Sequence, residues 1–143
     1  MSVDPIIWIT GVTALANMVS AVADALRSNV ELDSVRQAAN DSLKKGRFSI
    51  GESDIKSMEE MVISEELLQA FIEDIENAQR RFTKAINDPR YSPAEIDREE
   101  QRAQLTICEH LRRVKTYNYG RLPGSELNHV AESFRCFVGR RLR

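Results

Sequence analysis

The chain has 143 residues, the length of one ordinary domain, and its 42% hydrophobic and 29% charged residues exclude a disordered chain. A net charge of −2 excludes a whole-surface field that would draw in nucleic acid. Six glycines and four prolines leave few breakers, so the composition favours helices.

Asp4-Pro5 predicts the start of the first helix, with Asp as cap and Pro in the first turn. No charge follows from Pro5 to Ala23, and the helix is expected to reach about Ser28. Its polar residues Thr10, Thr13, Asn17, Ser20, Asp24 and Arg27 fall at alternating steps of three and four. Ile7, Trp8, Val12, Leu15, Val19 and Val22 supply its apolar contacts, a broader apolar share than a surface helix carries.

Leu32 to Lys45 predicts a second helix with a thin apolar face of Val35, Ala38, Ala39 and Leu43, capped by Asp33 and ended by Gly46. Residues 47–52 read as a loop. Ser53 is expected to cap a short helix bearing Ile55, Met58, Met61 and Val62. Ser64, followed by Glu65 and Glu66, predicts the next start. The helix after it has a clean inward stripe: Leu68, Phe71, Ile72, Ile75, Ala78, Phe82, Ala85 and Ile86. Glu76 and Arg80, four apart, are expected to pair on its wet side.

"NDPRYSP" interrupts the pattern, and Ser92-Pro93 restarts it with Ile96, Ala103, Ile107, Leu111 and Val114 facing inward as far as about Lys115. "YNYGRLPGS" is a second loop, after which Ser125 is expected to cap a helix carrying Leu127, Val130, Phe134 and Phe137. No strand pattern or internal repeat is present. The expectation is an all-α, single-domain bundle of five to six helices. Its parts are the long, mostly apolar N-terminal helix (1–28), an acidic middle (29–91) and a basic remainder (92–143).

Charge is segregated. Between Glu52 and Glu76 lie nine acidic residues and one Lys56, and between Arg102 and Arg143 nine basic residues and three acidic ones. Arg135, Arg140, Arg141 and Arg143 could meet an anionic lipid surface, or the acidic segment of the same or a neighbouring chain. Cys108 and Cys136, without a secretory pattern, are expected to be reduced, buried thiols of a cytoplasmic protein, with a single disulfide between them as the alternative.

The parts for an active site are sparse. Cys108 and His110 stand two apart and His129 and Cys136 seven apart, neither a zinc-ligand spacing. There is no phosphate loop, HExxH or GxSxG, and the adjacent acids read as solvated faces. No enzyme, metal or cofactor is therefore expected. One charged feature stands out: Arg112, Arg113, Lys115 and Arg121 around Tyr117 and Tyr119, a combination that suits phosphates and stacked bases. The plainer reading has the basic groups answering a helix dipole and the tyrosines packing over the bundle end.

The first helix has three uses in prospect: inner spine, bilayer span or contact between protomers. An apolar helix ahead of a helical bundle resembles, in layout, the membrane-acting effectors of immune and cell-death systems. The expected function is that of a non-catalytic effector- or adaptor-like module. It self-associates as a homo-oligomer, with membrane engagement as an option, through Ile7, Trp8, Thr10, Val12, Thr13, Leu15, Asn17, Val19, Ser20, Val22 and Asp24. Trp8 would serve as an interfacial anchor. The alternative is a soluble nucleotide- or RNA-binding bundle that uses the basic patch from Arg112 to Arg121.

Overall fold

The computed structural model describes residues 4–45 and 51–137, which form six helices and, among the described residues, no strand. They are α1 (Pro5–Arg27), α2 (Leu32–Lys45), α3 (Glu52–Glu59), α4 (Glu65–Asn87), α5 (Pro93–Tyr117) and α6 (Ser125–Ser133). The all-α bundle expected from the periodicities is the fold.

Three of the helix starts follow their local chemistry. The Asp4 carboxylate accepts from the Ile6 amide at 3.0 Å, and Pro5 occupies the first turn. The Ser64 hydroxyl accepts from Leu67 N at the start of α4. Ser92 and Glu95 form a reciprocal capping box at the start of α5. Between α4 and α5, Asp88 accepts from the backbone and guanidinium of Arg90, an interaction that holds its carboxyl down at about pKa 2.

Three caps differ from expectation. Asp33 is not the cap of α2 but a first-turn residue, its carboxylate accepting from Arg36 on the same helix. α3 begins one residue before Ser53, with Gly51 at its N-cap and Asp54 reaching back to the Gly51 amide at 3.3 Å. At α6 the cap position is Gly124, not Ser125, at φ 91° in the region glycine tolerates. The capping oxygen comes from another helix: Asp54 accepts from Ser125 N at 2.6 Å. A Cβ at Gly124 would lie 2.7 Å from that carboxylate, so the residue must be glycine for steric as well as conformational reasons. Gly46 and residues 47–50 lie outside the described residues, as does the side chain of Leu43.

The core forms around α1, which touches each of the other five helices. Trp8, Ile9, Val12, Leu15, Met18, Val19 and Val22 are buried, and so are the inward positions of α4 and α5. Gly11 allows α4 to approach closely, since a Cβ there would meet Ile75 Cγ2 at 3.4 Å. α2 folds back on α1 after a turn in which Asn29 takes φ 55° and Val30 N bonds Ala25 O. Arg36 Nε on α2 then donates to Ile86 O at the end of α4, at 2.6 Å.

Two smaller departures share one cause, early helix termination. α3 stops at Glu59, so Met61 and Val62 lie in the following link and Val62 is exposed. α6 stops at Ser133, leaving Phe134 as its C-cap and Phe137 beyond it. Arg80 bonds Asn77 on its own helix. The two thiols also differ from expectation. Cys108 and Cys136 are buried as expected, but they are bonded to each other, with Cα atoms 5.1 Å apart. The bond ties the turn after α6 to the middle of α5, in place of the two reduced thiols expected.

Candidate functional site

Burial divides the expected α1 surface in two. Trp8, Val12, Thr13, Leu15, Val19 and Val22 belong to the interior. The Thr13 hydroxyl is satisfied within its own helix, donating to Ile9 O at 2.8 Å. Trp8 lies inside the bundle, its ring 5.6 Å from Phe71 and its indole N–H enclosed without a hydrogen-bond partner. In this fold it is a core residue and not an interfacial anchor.

Of the expected residues, Ile7, Thr10, Asn17, Ser20 and Asp24 stay at least partly exposed, and a seam runs along them through two further residues: Ile7, Thr10, Ala14, Asn17, Ala21 and Asp24. The steps are three, four, three, four and three, the spacing of residues that face a partner helix. Ile7 is 59% exposed, and Ala14, Asn17, Ser20 and Ala21 are half-buried. From Ile7 to Ala21 the seam carries no charge, and its side chains beyond Ile7 are small. Beside its first half runs a groove of about 290 Å³ between α1 and α4, lined by Ile7, Thr10, Gly11, Ala14, Ile72 and Gln79 among others. Ala21 is one of the small residues whose position in the sequence permits close helix approach, whereas Ala14 is hidden there among the polar residues around it.

α1 is also the one helix, among the described residues, that is long and apolar enough to cross a membrane by length and composition. More than half of that span is enclosed by the other helices.

The basic and aromatic patch lies at the far end of α5. Arg112, Arg113, Tyr117, Tyr119 and Arg121 are exposed, and Lys115 is half-buried with its ammonium 4.2 Å above the Phe137 ring. The tyrosines do not pack over the bundle end: Tyr119 is 79% exposed and held at φ 57°, a conformation uncommon for a bulky residue.

A polar cleft of about 280 Å³ between α4 and α5 escaped the sequence reading. His110 lines it and is nonetheless buried, its ring 4.5 Å from Phe71. His110 Nε2 lies 3.3 Å from Asp74 Oδ2, while Nδ1 is enclosed without a partner. Burial holds the imidazole below its ordinary pKa, against the pull of Asp74. Across the cleft, Glu99 is shared between Arg81 at 4.0 Å and Arg102 at 3.6 Å. The arrangement is charge-balanced. On the same stretch of α5, between Glu99 and Arg102, Glu100 is buried and pushed up to about 7, mainly by desolvation and then by Asp97, with Arg27 opposing.

The four residues weighed as a metal set do not converge. Cys108 and Cys136 are bonded to each other, and His110 faces Asp74. No group of three or more His, Cys, Asp or Glu among the described residues is placed to hold an ion.

No protein family, curated protein sequence or solved structure matches the chain.

Proposed function

We propose that the chain is a non-catalytic helical module, adaptor- or effector-like, that works by self-association through the partly exposed seam of α1 and the adjoining α1/α4 groove. The observation that supports this is the uncharged seam itself. Ile7, Thr10, Ala14, Asn17 and Ala21 keep heptad spacing at the surface of a helix whose other faces are already occupied. A helix bathed in water carries charged residues on its wet side. Small side chains at this spacing instead let a second helix approach closely, and a two-fold contact between identical seams satisfies both copies at once.

Membrane engagement in this fold is a matter of the surface strip. A bilayer span would need α1 to leave the bundle and take Trp8, Leu15 and Val19 out of the core. The test is the solution mass by light scattering across a concentration range, with and without anionic liposomes. The expected result is a discrete oligomer that Ala14→Glu converts to monomer with unchanged circular dichroism. A monomer at every concentration that ignores liposomes refutes the reading.

A second reading, binding of a nucleotide or RNA at the basic patch from Arg112 to Arg121, is supported by the exposure of Tyr117 and Tyr119 beside three exposed arginines. Arg113→Glu separates the two: it would abolish anion binding and leave assembly alone.

A further inference from the structure

The start of α1, α3 and the link into α4 enclose a second groove, of about 270 Å³. Its floor is apolar: Ile6, Ile55, Met58, Met61, Ile63 and Leu68. Ile6 and Ile55 are exposed, and Val62, in the same α3–α4 link as Met61 and Ile63, is 51% exposed. Two methionines make the floor adaptable to an incoming side chain. The charged residues that line the groove are Asp4, Glu59 and Glu65, all of one sign. Glu59 is the last residue of α3, where the helix dipole adds to its negative field.

An apolar trough with an acidic rim calls for an occupant that carries both aliphatic and basic residues. The chain contains such a segment: residues 138–143, VGRRLR, with Val138 and Leu142 four apart and Arg140, Arg141 and Arg143 among them. We infer that this segment of one copy docks into the α1/α3/α4 groove of another. The aliphatic side chains would meet the methionine floor and the guanidinium groups the carboxylate rim. The contact is heterologous, joining two different surfaces. Combined with an isologous α1 seam it extends the assembly beyond a dimer. The inference rests on the reading of the chain as a self-associating module, but it uses a different face.

The test is fluorescence anisotropy of a labelled VGRRLR peptide titrated with the full chain, alongside the solution mass. The expected result is saturable binding that weakens several-fold as salt is raised through the physiological range. Glu59→Lys with Glu65→Lys should weaken it by about tenfold or more. A peptide carrying Val138→Ser and Leu142→Ser should bind far less well. In the full chain, Arg140→Glu with Arg141→Glu should lower the assembly mass. Repeating the titration on Ala14→Glu keeps the inference separate from the seam, because the groove should bind the peptide whether or not the seam associates. Absence of saturable binding overturns the inference. So does binding indifferent to the rim or to the two aliphatic positions, or an unchanged mass in the arginine variant, which would place the segment elsewhere.

Discussion

Reduction of the Cys108–Cys136 bond should cost a large part of the stability of this chain. The bond closes a loop of 28 residues that contains the end of α5, the Tyr117–Gly124 connection and all of α6. Opening such a loop restores freedom to the unfolded chain worth about 3.5 kcal/mol. Both cysteines are buried in the fold, so the expectation is that packing around the reduced thiols changes little and the loop effect dominates. With a urea slope of about 2 kcal/mol per molar, the midpoint should fall by about 1.5–2 M. The thermal midpoint should drop by about 7–14 °C. The assay is urea unfolding followed by circular dichroism, with and without a phosphine reductant. The Cys136→Ala chain should match the reduced parent and ignore the reductant. Coincident curves for oxidised and reduced parent would refute the reasoning, because they would mean that the bond does not form in solution or that the loop stays ordered in the unfolded state.

Leu15→Ala, at a position with no exposure, should cost about 2–5 kcal/mol, whereas Ile7→Ala should cost little, because Ile7 is already more than half in water; thermal melts compare the two. His110 is held below its ordinary pKa in the fold, so the unfolded chain takes up its proton first. The stability it contributes is complete above about pH 6.5 and is lost as pH falls through the depressed folded value, and urea midpoints for His110→Gln should show a shallower acid limb. Glu100 runs the other way: raised to about 7, it contributes fully below its unfolded value near 4.5 and loses that contribution as pH rises through 7. Glu100→Gln should therefore be more stable than the parent at pH 8, by on the order of 1–3 kcal/mol, and nearly equal at pH 5. Asp54→Ala removes the acceptor for Ser125 N and should cost about 1–2 kcal/mol, read as a lower urea midpoint.

Wherever one helix carries its own signals, the sequence was a sufficient guide. Asp4-Pro5, Ser64 and Ser92-Pro93 declare their starts within three residues, and the α4 stripe from Leu68 to Ile86 is buried or half-buried as its period requires. What escaped depends on contacts across the chain. Asp54 caps α6 from 71 residues away, and nothing local to Ser125 announces that. Cys108 and Cys136 meet because α6 turns back along α5, a placement that spacing does not encode. The His110–Asp74 contact needs α4 and α5 antiparallel and in one register. On α1 the polar period was legible, but the buried Thr13 and the outward Ala14 show that polarity and exposure diverge when five neighbours compete for one helix.

That α1 lies at the centre has a consequence for how the chain is made. The ribosome delivers α1 before α4, α5 and α6, yet all three pack against it, and Trp8 stacks near Phe71 of α4. At about 5–20 residues per second, the roughly ninety residues that separate Leu15 from the inward end of α5 take on the order of 5–20 s to appear. During that interval only α2 and then α3 can shelter an uncharged stretch of nineteen residues, Pro5 to Ala23. The nascent chain thus presents a chaperone or a membrane surface with the side chains of Trp8, Val12, Leu15 and Val19, which the finished protein conceals.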